Sequence, residues 1–326
     1  MGAVIVPGVQ LANESESYID AMHAVLSHKG WMAHPKPMLS GMTVAGFRFT
    51  VNRRLTAESV TAYNWIAENF LAADFIGVSS SQNAGFTFDA TFPLYQRQAV
   101  SDIKASIGRG MAAIIWKDQF VVAAGYDDCD EVLYIADGKS SEYVTVPYGQ
   151  FGRNDSPYWY YQLLEDRIEI EESAIFQESF VQAVYKWESH DLMLPEAEYA
   201  CGRRAYDAIV EALRSGDYDS GESRHVFRCY AAAKRDIGEY ARRLELVWPE
   251  IGTAAAHYSR VSGLFRRIAE RACAPDTGSG PYEPETVREL IGLFREAQYE
   301  EELATGEIRA LLNETIHNRF HDIGLR

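Results

Sequence analysis

The stretch Met111–Asp137 (MAAIIWKDQFVVAAGYDDCDEVLYIAD) constrains the fold most. It holds three apolar runs, Met111–Trp116, Phe120–Ala124 and Val132–Ala136, separated by the polar breaks Lys117–Gln119 and Asp127–Asp130. Runs this short, rich in Val, Ile and aromatics and bounded by turn residues, read as buried strands. Gly125 ends the second run and Asp137-Gly138 ends the third. The pattern predicts an antiparallel meander at the centre of a first domain.

Helical spacing precedes it. Tyr18, Ile19, Met22, Val25 and Leu26 share one face, Ser17 stands three residues before Asp20 in a capping-box spacing, and Gly30 ends the run. Phe47, Phe49 and Val51 alternate with Arg48 and Thr50, which predicts a half-buried strand. Thr56 is expected to start a helix reaching about Leu71. Next come a short strand at Phe75–Val78, a polar loop at Ser79–Asn83, and a helix over about Gln96–Ile107. After the meander, Tyr143–Val146 and the aromatic run Tyr158–Tyr161 read as further strands, with a loop at Phe151–Pro157.

From about Glu171 the period becomes helical and stays so, predicting five helices and domain limits of 1–170 and 171–326. Pro195 is expected to open the second of these helices, carrying Tyr199, Tyr206, Ile209 and Leu213. That reading places Cys201 early on a helix beside Arg203 and Arg204. A helix start and cations both lower a thiol pKa, which makes Cys201 the best candidate for a reactive thiol. The competing and preferred reading is a small buried core residue. Pro275–Tyr282 reads as a linker, with Pro284 opening the last helix.

The net charge of −16 on 326 residues opposes binding to nucleic acid or to anionic membranes. No basic-then-apolar leader opens the sequence and no apolar run matches a bilayer, so a cytoplasmic protein is expected. Four scattered cysteines without a CxxC fit reduced thiols. No phosphate loop, dinucleotide fingerprint or metal-ligand spacing is present, and no cofactor or metal is expected.

The order of these features carries a resemblance. Ser17–Gly30, then Leu39-Ser40-Gly41-Met42 with Phe47-Arg48-Phe49, then Gly125-Tyr126-Asp127 and Asp137-Gly138, resembles the butirosin biosynthesis protein H family. The resemblance implies an α+β chain: a papain-like antiparallel-sheet domain followed by an all-α bundle. It implies an acyltransferase that moves an acyl group from a carrier-protein thioester to an amine. Ser17 stands at the position of the nucleophilic Cys. Gln119, or Asp118 if the register slips by one, stands at that of the His. Asp137 matches the carboxylate that orients the His. The sequence therefore departs from the family at both reacting positions, and Gln is no general base.

The resemblance puts Ser17 and Gln119 within a hydrogen bond or one bridging water, with the Asp137 carboxylate accepting from the Gln119 amide. Glu16, Asp118, Tyr126, Cys201 and Arg203 are the expected binding residues around an acyl or amide ligand, with the helical domain forming the other wall. Three readings stand open. One is an acyltransferase-like enzyme of specialised-metabolite biosynthesis, its base supplied by a residue such as His23, His28, His34, His190 or His225. Another is a catalytically inactive protein that binds a small ligand or a peptide. The last is an assembly role for the helices.

Overall fold

The computed structural model describes residues 2–15, 17–274 and 280–322, and side chains through residue 313. In chain order the elements begin with β1 (Val4–Ile5), α1 (Tyr18–Lys29), α2 (Lys36–Met42), β2 (Thr50–Asn52), α3 (Trp65–Asp74), β3 (Val78–Phe86) and α4 (Phe92–Gly108). The central strands are β4 (Ala113–Trp116), β5 (Phe120–Asp127), β6 (Val132–Ala136), β7 (Val144–Pro147) and β8 (Tyr158–Arg167). The rest comprises α5 (Glu172–Glu188), β9 (Tyr199–Cys201), α6 (Arg203–Ser215), α7 (Ser220–Leu244), α8 (Gly252–Ala272) and α9 (Pro284–Asp322). None of the described helices is long and apolar enough to cross a membrane.

The chain divides into two compact units: residues 1–39 with 65–170, and residues 40–64 with 171–326. A division at 170/171 therefore leaves Ser40–Asn64 on the wrong side. Close packing explains why this segment goes with the helices. A Cβ on Gly41 would sit 2.2 Å from the Tyr240 ring, and one on Gly46 would sit 2.6 Å from Ile237. Both contacts are to α7, and only glycine allows backbone this near a helix.

In the first unit a seven-stranded sheet runs β3-β8-β4-β5-β6-β7, and β1 pairs with β5 beyond the end of β4. Each of these pairings is antiparallel. The meander forms as the apolar runs predict, with Ile114 opposite Val122 and Ala123 opposite Ile135. A register shift falls between Ala123 and Gly125.

Neighbouring residues of a strand point to opposite faces. The Tyr161 hydroxyl donates to Asp102 of α4, whereas the Gln162 side chain accepts from Tyr18 of α1 and donates to the Asn69 carbonyl of α3. So α4 covers one face, and α1 and α3 cover the other. Coverage on both sides is why β4 and the start of β5 are buried at consecutive positions and read as unbroken apolar runs.

Three expectations change here, the first being the short strand at Phe75–Val78: residues 75–77 form a turn and β3 begins at Val78. The polar loop at Ser79–Asn83 is part of β3, a nine-residue strand at the sheet edge. Its serines escape an apolar count because edge strands meet water. The single helix from Thr56 to Leu71 is instead a 3₁₀ turn, Ala57–Val60, and then α3. Ser59 Oγ donates to the Thr56 carbonyl and accepts from Asn52 N, and Thr61 Oγ1 donates to the Glu58 carbonyl. Side chains that bond to nearby backbone in this way compete with helix propagation.

Among the described residues the second unit carries the five long helices α5 to α9 and the short pair β2–β9. Its core gathers Phe49, Tyr206, Phe227, Phe265 and Phe294 with aliphatic residues from α6, α7, α8 and α9. Phe49 meets Tyr206 and Tyr230 edge-on at 4.8 and 4.7 Å.

Candidate functional site

Ser17 is the N-cap of α1, in extended backbone geometry. Three residues on, Asp20 is buried, and its Oδ2 accepts from the backbone N–H of Glu14 (3.2 Å), Ser15 (2.8 Å) and Ser17 (3.5 Å). Ser15 Oγ also donates to that oxygen at 3.1 Å. The other oxygen, Oδ1, takes Lys36 Nζ at 3.1 Å, and Lys36 reaches Glu14 at 3.2 Å. A buried carboxylate thus gathers the turn ahead of α1, and a buried ammonium balances it. The Ser17 hydroxyl lies 2.7 Å from Ser15 Oγ.

The second expected position opens β5. The Tyr18 and Phe120 rings, next in sequence to Ser17 and Gln119, meet edge-on at 5.6 Å. The start of α1 therefore faces the start of β5. Gln119 is buried, and both ends of its amide are engaged. Nε2 donates to the Asp137 backbone carbonyl at 2.8 Å, and Oε1 accepts from Asn13 Nδ2 at 3.2 Å.

Asp137 is thus behind Gln119, but through its main chain. Its carboxylate accepts from the N–H groups of Lys139 and Ser140, each at 2.9 Å. An Asp before Gly in a turn bonds its own backbone two and three residues on. Partial burial pushes this carboxyl up, but the Ser140 and Lys139 N–H groups outweigh it and hold the pKa below the ordinary value. The turn is closed against the segment before α1, since a Cβ on Gly138 would fall 2.6 Å from Asn13 Cβ.

The remaining expected residues disperse. Asp118 takes a left-handed backbone (φ 57°) at the hairpin tip and accepts from Ser156 N at 3.2 Å, a turn role that Asp tolerates well. Tyr126 sits seven residues beyond Gln119 along β5, about 23 Å away at strand rise. Its ring carries Lys104 Nζ at 5.1 Å. Glu16 lies outside the described residues.

Cys201 and Arg203 belong to the second unit. Cys201 is on β9 rather than on a helix, because the segment pairs with β2 in the register Thr50–Cys201 and Gly202 turns the chain into α6. Its buried thiol accepts from Thr50 Oγ1, and burial pushes its pKa up, the opposite of the direction expected beside a helix start. Arg203 is exposed at the start of α6. The N-terminal histidines are occupied elsewhere: His23 by the His34 carbonyl and His28 by the Pro7 carbonyl. Among the described residues no three His, Cys, Asp or Glu side chains are grouped to hold a metal.

Sequence reading missed Asn13 and Lys36. The Ser17–Asp20 spacing announces the cap, but nothing periodic ties Lys36 to Asp20. It also missed an aromatic group beside the β4–β5 hairpin. Trp65 meets Trp116, Phe120 and Tyr158 at 4.6, 5.2 and 5.7 Å, and Tyr158 is 44% exposed. Comparison with protein-family models and with curated proteins finds no match.

Proposed function

We propose that this chain is a non-catalytic binding protein on a papain-like scaffold of the butirosin biosynthesis protein H type, holding an acyl or amide ligand in a specialised-metabolite pathway. The observation that supports it is the fastening of Gln119. In a Cys–His enzyme this position carries the base, one ring nitrogen toward the nucleophile and the other toward the orienting carboxylate. Here both ends of the side chain are spent on Asn13 and the Asp137 carbonyl, and the Asp137 carboxylate is spent on its own turn. Neither Gln119 nor Asp137 is left to take a proton from Ser17, and a hydroxyl without an adjacent base is a weak nucleophile.

The hydroxyl pair Ser15–Ser17 offers polar contacts, and the Trp65, Trp116 and Tyr158 rings offer an apolar wall for the acyl part. The test is to incubate the protein with an acyl thioester and with peptide substrates, and to follow intact mass. The expected result is no covalent adduct, no cleavage, and a ligand retained under native conditions and released on unfolding. A Ser17 acyl adduct, or cleavage lost on Ser17→Ala, would overturn this reading in favour of an acyltransferase-like enzyme.

A further inference from the structure

The helical unit holds a thiol–imidazole pair. Cys229 and His225 are four residues apart on α7, a spacing that stacks side chains on one face. Cys229 Sγ lies 3.6 Å from His225 Nε2 and 3.9 Å from Nδ1. Both ring nitrogens are within reach of the sulfur, so either neutral tautomer presents an acceptor for the thiol proton. Glu222 stands three residues before His225 on the same helix face and accepts from Ala57 N at 2.9 Å, so a carboxylate is fixed one turn from the imidazole.

The other three cysteines sit in different surroundings. Cys129 is exposed in an acidic turn, between Asp127, Asp128, Asp130 and Glu131. Cys273 is exposed at the C-terminal end of α8, the negative end of the helix dipole. Cys201 is buried against Thr50 Oγ1.

We propose that Cys229 is a nucleophilic thiol and a site of covalent modification by small carbon electrophiles, with His225 as its base. This does not rest on the reading of the first unit. In the step, the thiol proton passes from Sγ to a His225 nitrogen, the sulfur lone pair forms a bond to the electrophilic carbon, and the leaving group departs with the bonding electrons of its own bond. With iodoacetamide the products are the carbamidomethyl thioether, iodide and a proton held by the imidazole. Cys229 is 8% exposed, so reagents of this small size are the ones that reach it.

The test is competitive alkylation of the full chain with substoichiometric iodoacetamide near neutral pH, read by peptide mass spectrometry at each cysteine. Cys229 is expected to label faster than the exposed Cys273. His225→Ala is expected to slow Cys229 about tenfold while Cys273 is unchanged in the same sample. His225→Gln keeps a hydrogen-bonding side chain but cannot take the proton, and is expected to be as slow as His225→Ala. Cys229 labelling more slowly than Cys273 in the unsubstituted protein, or at the same rate in both variants, would overturn the proposal. Labelling of Cys201 reports any variant that loses its fold, and the ranking in the unsubstituted protein then decides alone.

Discussion

Each unit buries a lysine against a carboxylate, and the two pairs do different work. In the helical unit Lys234 and Glu301 join α7 to α9 with side chains 1% and 4% exposed. Phe49 and Phe265 rings lie 4.8 and 5.8 Å from the ammonium, and Tyr206 donates to Glu301. Burial, and then that carboxylate, push the Tyr206 phenol well above its ordinary pKa. In the sheet unit Asp20 spends most of its capacity on backbone N–H groups, and Lys36 also reaches Glu14, whose side chain is 46% exposed. The first pair is sealed among helices. The second shapes a loop, the one that presents Ser15 and Ser17. A buried charge pair fixes which surfaces meet without necessarily adding net stability. When its partner is the backbone, it fixes the path of the chain as well.

The comparison breaks most visibly at Lys234. Lys234→Met leaves Glu301 charged and buried, and is expected to cost about 3–5 kcal/mol, seen as a large fall in the urea midpoint. The triple variant Lys234→Met, Glu301→Met, Tyr206→Phe is expected to recover most of that loss, because no polar group is left unsatisfied. In the other unit, Asp20→Asn weakens charge-assisted bonds and leaves Lys36 less well paired, for an expected loss of about 1.5–3 kcal/mol. No apolar replacement should restore it, since the N–H groups of Glu14, Ser15 and Ser17 would still need an acceptor. Hydrogen exchange at those amides is the sharper measurement.

Gln119→Ala strands Asn13 and the Asp137 carbonyl, with an expected cost of about 1–2 kcal/mol. Asp137→Asn is the smallest effect. The folded carboxyl titrates below the ordinary aspartate value of 3.8, so its contribution is fully present above that pH and is lost as pH falls through the folded pKa. Stability of the two proteins should differ slightly at pH 6 and converge below pH 3.8.

The meander was legible because its first two apolar runs are buried at every position, the third is buried at three of its five, and each break is a turn. Helix α1 was legible from its capping spacing and Gly30, which adopts the left-handed backbone (φ 73°) at its end. The edge strand β3 was hidden by its serines, and β9 by the helical look of the residues around it. The candidate site was half legible. The facing ends of α1 and β5 were expected from the resemblance alone. The partners of Gln119 were not, because Asn13 lies 106 residues away and Asp137 contributes a carbonyl that every residue possesses.

The proposal that most needs testing is a papain-like arrangement of the first unit with its reacting groups replaced. The most direct measurement is the pH dependence of alkylation at position 17 in Ser17→Cys with Gln119→His, in a Cys229→Ser background. Installed at the start of α1 facing the start of β5, the thiol should react as a thiolate well below the ordinary cysteine pKa of about 8.5. Ser17→Cys alone should show a much smaller depression. A double variant whose thiol titrates like ordinary cysteine would contradict the arrangement and the function drawn from it.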